Sequence, residues 1–300
     1  MSPTAGILAA FIAFLAWGFG DFAIQRSVRA VGAVPALFFI GVFGCFGLLP
    51  FVWHDIPTLF SESHLRTLLF FTGVTTFIYA VFLFQSLNQG KLSVIEPVIS
   101  FELPLTIGIS ILFIGEHLTG LQLVLAAVVF SGLVVTVVHR EPRHWWNIIL
   151  RHRRSLLERG VILAGIATVL SATANVLTGT LSQQSSPLLA IWAIHSILGL
   201  LCLLWMLFRR QVGASIRHAR EHWRPILAQS IFDNLAWVAY AAAVTVLPIS
   251  LTIAITESYI ALAALLGIII NRERLQRHQY VGIAITLIAA IALAVAAGGG

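Results

Sequence analysis

At 300 residues, 59% hydrophobic and 10% charged, with a mean hydropathy of +0.95, the chain carries more apolar surface than one aqueous core can hide. That excludes a soluble globular enzyme and leaves lipid as the solvent. The net charge of +6 would point to nucleic acid in a soluble protein, but here the basic residues sit between apolar stretches, where lipid headgroups are their natural partner.

A membrane span needs about 20 largely apolar residues. Ten such stretches follow in order: 5–25, 32–53, 67–88, 92–114, 118–138, 160–181, 187–208, 225–246, 249–270 and 280–297. Because these runs are continuous rather than alternating in polarity, they predict helices and not barrel strands. The first stretch lacks a basic flank and an obvious cleavage site before Arg26 and Arg29, so it reads as a span and not a signal peptide. Cys45 and Cys202 fall inside spans and imply no disulfide framework.

The basic connection in mid-chain divides the sequence into a first repeat, 1–140, a cytoplasmic linker, 141–158, and a second repeat, 159–300. A shift of 157 residues pairs Ser93 with Ser250, Ile111 with Ile268, Glu116 with Glu273, Leu118 with Leu275, Gln122 with Gln279 and Ala127 with Ala284. Five spans per copy is an odd number, so the copies lie upside down relative to each other. The expected fold is therefore an all-α, polytopic membrane protein of ten transmembrane helices arranged as two inverted five-helix repeats. Of all the Lys and Arg residues, only Arg66 falls on the side of the termini and the even-numbered connections. By the positive-inside rule, the odd-numbered connections are cytoplasmic and both termini face out. The membrane expected is the cell membrane, the inner one in bacteria.

Acids inside spans are costly and mark function by default. Asp21 and Glu96 lie near the basic end, where an interfacial role and a functional one are equally open. Glu102, Asp233 and Glu257 lie about 12 to 15 Å deep with no Lys or Arg at that depth, so each must be protonated, hydrogen-bonded or facing a water-filled cavity. Buried structural acids are the alternative. Residues three, four or seven apart share a helix face. That groups Trp17 with Asp21, Ser171 with Asn175 and Thr178, Trp192 with His195 and Gly199, and Asp233 with Trp237 and Tyr240. Adding Tyr79, Asn234 and Tyr259 completes the set of candidate cavity residues. The Ser and Thr hydroxyls are as readily spent on the preceding turn, and a lone His195 on an apolar helix is as readily a packing residue. Glu102 and Glu257 are the proton-coupling candidates, since a deep carboxyl that trades its proton with water gives a route to antiport. Pro104 is the hinge candidate. Glu116 and Glu273, matched in the two halves, fit helix capping or pairing across the repeat axis better than substrate binding.

Acids, amides and aromatics without a buried Lys or Arg favour cargo bearing an ammonium group, with cation–π attraction from Trp and Tyr. They argue against phosphorylated cargo. No Cys/His cluster stands at metal-ligand spacing, His139, His144 and His152 lying in the basic connection. No cofactor is expected. Gly-x-Ser-x-Gly, His-Glu-x-x-His and P-loop patterns are lacking, which argues against a membrane-embedded enzyme and for a gradient as the driving force.

Ala16-Trp17-Gly18, the run Phe101-Glu102-Leu103-Pro104 to Gly115-Glu116-His117-Leu118, and its echo Glu257-Ser258-Tyr259 to Arg272-Glu273-Arg274-Leu275 resemble the EamA-type repeats of the drug/metabolite transporter superfamily. The resemblance covers essentially the whole chain. It implies a ten-helix inverted-repeat permease, often an exporter of amino acids or related metabolites, with a central cavity lined mainly by the first four helices of each half. It also implies cytoplasmic termini, against the charge bias, and a second proline where this chain has Ala261. The expectation is a secondary exporter of small polar metabolites and not an enzyme. A multidrug exporter of quaternary cations in the same superfamily is the alternative. The partners expected are the bilayer and a small-molecule substrate, with no nucleic acid. A monomer suffices for a complete cavity, and a dimer stays open.

Overall fold

A computed structural model describes residues 1–89, 92–138, 159–271 and 275–298. Lys91, the expected linker 141–158, and Arg272, Glu273 and Arg274 lie outside them, as do the side chains of Ser93, Glu96 and Arg159. The first half comprises α1 (Pro3–Val31), α2 (Ala33–Val52), the short α3 (Ile56–Ser61), α4 (Ser63–Gln89), α5 (Leu92–Ile99), α6 (Glu102–Ile109) and α7 (Gly120–Val137). The second comprises α8 (Arg159–Gln184), α9 (Pro187–Phe208), the short α10 (Val212–Glu221), α11 (Trp223–Ala243), α12 (Ile249–Thr256), α13 (Tyr259–Asn271) and α14 (Arg277–Gly298). Among the described residues, nine stretches are long and apolar enough to cross a membrane. The tenth crossing is α11, made more polar by Gln229, Asp233 and Asn234 but packed along the length of α1.

Local chemistry sets the ends. Ser2 caps α1 through the Ala5 N–H, and Ser186 caps α9 ahead of Pro187 through the Leu189 N–H. A reciprocal Thr119–Gln122 capping box starts α7. The turn that precedes it needs Gly115, whose φ of 75° is left-handed.

The fourth and ninth crossings, expected as unbroken helices, are each two half-helices. α6 runs on through a π-helical turn, Ser110–Ile114. The first break falls at Ser100–Phe101. Pro104, in the first turn of α6, offers no N–H to the carbonyl four residues back, and its ring crowds that carbonyl. The second break falls at Glu257–Ser258. There Ala261 stands in place of proline, and the backbone tightens into Ile260 N–H to Glu257 O and Ala261 N–H to Ser258 O bonds.

Four cross-half pairings build the bundle: α1 on α11, α4 on α8, α2 on α9 and α7 on α14. Exchanging each helix for its repeat equivalent turns the first pair into the second and maps the last two onto themselves, the signature of a two-fold axis. The last two pairs also fix its direction. A Cβ on Gly41 would lie 2.6 Å from the Gly199 Cα, while one on Gly44, further along α2, would lie 2.7 Å from the His195 Cβ, earlier on α9. Equivalent helices thus run antiparallel, and the repeats are inverted. On α7 and α14, Gly132 and Gly282 each face a threonine four residues beyond the other. A Cβ on Gly282 would lie 2.6 Å from the Thr136 N, so small residues let both axial pairs approach backbone to backbone.

Phe46, Phe51, Phe70, Leu112, Phe113, Leu204 and Phe208 point outward to lipid. Inside, one apolar cluster joins the N-terminal part of α1 to α7, α12 and α14. Another joins the ends of α2, α4, α8 and α9 opposite the arginine-rich end. A third joins the C-terminal parts of α1, α4 and α9 to the start of α2, at the arginine-rich end. Trp237 packs against all three.

Candidate functional site

Between the halves lies a cavity of about 580 Å³. Its lining on α1 runs from Trp17 to Gln25, on α4 from Thr76 to Leu87, and on α14 it is the early residue Gln279. On α2 and α11 it takes only Leu37, Ile40, Asp233 and Trp237. All of these lie in the middle of their helices or toward the ends bearing Arg26, Arg29, Arg209, Arg224 and Arg277. The cavity therefore reaches toward the arginine-rich end and is sealed at the other by the clusters around Tyr240, Val244 and Ile249 and around Leu59 and Leu189.

One wall is the α1–α11 pair. Trp17 and Asp21 stand one turn apart on α1, and Asp233 and Trp237 one turn apart on α11. Their antiparallel register brings the indoles edge to face, centroids 5.3 Å apart at 88°, and the same register sets Asp21 level with Asp233. Trp17 also lies 6.0 Å from Tyr240 and 6.1 Å from Tyr259, and Trp237 lies 5.7 Å from Tyr240. The result is an aromatic cluster one turn below a pair of carboxyls.

The opposite wall is the α4–α8 pair with the start of α6. Glu102 opens α6, where the helix terminus favours negative charge. It accepts a 2.6 Å hydrogen bond from the Asn175 amide, and Tyr240 in turn donates to the Asn175 carbonyl at 3.1 Å. Glu257 enters from the α12–α13 break and is 5% exposed; Asp233 is 9% exposed. Among the described residues, no lining residue is Lys or Arg.

His195 has its tautomer fixed from behind. The Asn234 amide donates to the Ile40 carbonyl at 3.1 Å and to the Ser230 carbonyl at 2.8 Å, which orients its oxygen toward His195 Nδ1 at 2.7 Å. Nδ1 must then carry the hydrogen. The ring itself is part of the cavity lining.

Of the residues expected from sequence, the structure brings Trp17, Tyr79, Glu102, Asn175, His195, Asp233, Trp237, Glu257 and Tyr259 to the cavity. Three lie elsewhere. Trp192 donates its indole N–H to the Cys45 carbonyl at 3.0 Å in the α2–α9 contact, Asn234 stands behind His195, and Tyr240 is fully buried behind Asn175. Ser171 turns its hydroxyl back to the Thr168 carbonyl. The expectation for Glu116 divides: Thr119 and Gln122 cap the following helix, while Glu116 reaches across to the other half. Gln25 and Thr76 line the cavity without having been expected there, and Asp21, left open between an interfacial and a functional role, lines it too. Because α1 continues to Val31, Asp21 lies about 15 Å from the helix end rather than at the interface.

The EamA-like transporter family model matches residues 4–138 and 158–295. No curated protein matches the sequence. Among solved structures, 28 chains match. One of them, a crystal structure of a protein, is similar over 97% of this chain and 97% of its own, with a TM-score of 0.74 at 14% identity, a likeness of fold alone.

Proposed function

Since the chain belongs to the EamA-like transporter family, we propose that it exports small metabolites bearing an ammonium group, amino acids or related amines, driven by an ion gradient. The observation that carries this reading is the cavity lining: carboxyls and aromatic faces from both halves, with no Lys or Arg among the described lining residues. An ammonium donates hydrogen bonds to the acids and is held over the indole and phenol faces. Export follows from the cavity reaching toward the arginine-rich end, which the positive-inside rule makes cytoplasmic. Proton coupling follows if Glu102 and Glu257, once cargo leaves, take protons from the opposite side. The half-helix joints at residues 100–101 and 257–258 supply the movement between repeats, with Pro104 withholding one helix N–H beside the first.

A second reading is favoured by the cluster of Trp17, Trp237, Tyr240 and Tyr259: a lipophilic quaternary cation held by aromatic faces in the manner of a drug exporter. Both readings are tested in proteoliposomes with an imposed pH gradient, using labelled amino acids, amines and a quaternary cation, with intact protein, Glu102→Gln and Glu257→Gln. Gradient-driven flux lost in either variant supports the proposal. Normal, pH-independent flux in both discards the coupling acids, and no flux of any compound sinks the reading.

A further inference from the structure

Resting on the reading that the cavity takes ammonium-bearing cargo, we propose that this cargo carries two or more ammonium groups and no carboxylate: an aliphatic diamine or polyamine, rather than an α-amino acid or a quaternary cation.

The cavity holds four carboxyls on four separate elements: Asp21 on α1, Asp233 on α11, Glu102 at the start of α6 and Glu257 at the α12–α13 break. Asn175 donates to Glu102. Asp233 and Glu257, more than nine-tenths buried, have no hydrogen-bond donor among the described residues, and both face the cavity. An ionised acid so placed costs several kcal/mol unless a cation meets it. One ammonium has three hydrogens to donate and can serve the Asp21–Asp233 wall or the Glu102–Glu257 side, leaving the rest unanswered. Two ammonium groups joined by methylenes serve both sides at once. The chain between them finds apolar surface on Trp17, Trp237, Leu37, Ile40 and Leu198.

The donors that an incoming carboxylate would meet are neutral ones, among them the Trp17 and Trp237 indoles, the Tyr79 phenol and the Gln25 amide, with no cationic side chain among the described lining residues. The Asn175 amide already donates to Glu102, and the Gln279 amide donates to the Thr136 carbonyl at 2.9 Å. A zwitterionic amino acid would add a fifth negative group to this set. A quaternary ammonium has no N–H to donate and would leave Asp233 and Glu257 without a hydrogen bond. The cavity is thus rich in carboxyls, lacks a cationic partner for them among its described lining residues and extends between two walls, the complement of a protonated diamine.

The decisive comparison uses three compounds that differ by one group each. 1,5-Diaminopentane is lysine without its carboxylate and pentylamine with a second ammonium. In wild-type proteoliposomes under an imposed pH gradient, labelled 1,5-diaminopentane is expected to be transported and to be displaced at least about tenfold more weakly by lysine or pentylamine than by itself. Asp233→Asn is expected to weaken diaminopentane about tenfold and pentylamine by clearly less, narrowing the gap between the two. A variant that merely folds poorly would lose both alike, and the wild-type comparison needs no variant. Lysine or pentylamine matching the diamine overturns the inference while leaving the transport reading intact. No flux of any ammonium compound overturns the transport reading itself.

Discussion

The carboxylate of Glu116 grips Ser250 across the two halves, accepting from its backbone N–H at 3.0 Å and its hydroxyl at 2.6 Å, with a third bond from the Ile249 N–H at 2.5 Å. It occupies the N-terminus of α12, where orphan N–H groups and the helix dipole both favour an anion. Both partners lie at the sealed end, so opening that end requires this grip to release. Glu116→Gln is expected to cost about 1.5 to 3 kcal/mol and to favour opening. A Leu251→Cys reporter, with Cys45 and Cys202 replaced by Ala, should label faster with a membrane-impermeant maleimide in the Glu116→Gln background. Unchanged labelling would make the contact a passive cap.

The α2–α9 crossing leaves no room for a methyl group at Gly41, where a Cβ would meet the Gly199 backbone at 2.5 Å. Gly41→Ala should therefore destabilise by about 1 to 3 kcal/mol, read as a lower midpoint of thermal unfolding in detergent. Gly47→Ala, on the same helix with nothing within 4 Å of the added carbon, should leave the midpoint unchanged or raise it slightly.

Asn234 ties α11 to α2 and fixes His195. Removing it leaves the Nδ1–H without its acceptor and takes away the second bond to the Ile40 carbonyl, at a cost of about 1 to 3 kcal/mol. His195→Ala on top of Asn234→Ala should cost less than the two single changes added together. A double-mutant cycle on thermal stability checks this, and strict additivity would mean that the histidine is held by something else.

Since α12 and α13 are broken with Ala261 where the first half has Pro104, proline is not needed for a break in this setting. Pro104→Ala should keep transport within about threefold of wild type, because a helix break also relies on surrounding packing. A larger loss would make the first joint dependent on its proline.

The charge bias predicts external termini. A Ser2→Cys variant with Cys45 and Cys202 replaced by Ala should react with an impermeant maleimide added to intact cells; protection until the cells are opened would reverse the orientation and, with it, the direction of transport.

The repeat was legible because its register survives in side chains. The bounds of α5 and α12 are offset as Ser93 and Ser250 are, 249 less 92 and 256 less 99 both giving 157. The breaks were hidden because apolar residues run through them, and a hydropathy reading registers composition and not backbone hydrogen bonds. Helical stripes identified the acids and aromatics of α11 but not which of them face inward. Asp233 and Trp237 do, while Asn234 and Tyr240 stand a layer behind, a matter of helix rotation set by the contact with α1. That contact lies more than 200 residues away in sequence, beyond any local pattern.

The matched joints of the two halves carry unmatched chemistry. In repeat register, Glu102 stands opposite Tyr259 and Glu257 opposite Ser100. A molecule entering from one face of the membrane would meet the same hinges as one entering from the other, but would encounter the acids in a different order and on a different wall. A strictly symmetric duplication would present the same groups to both faces; these positions are where the two joints of this one part company.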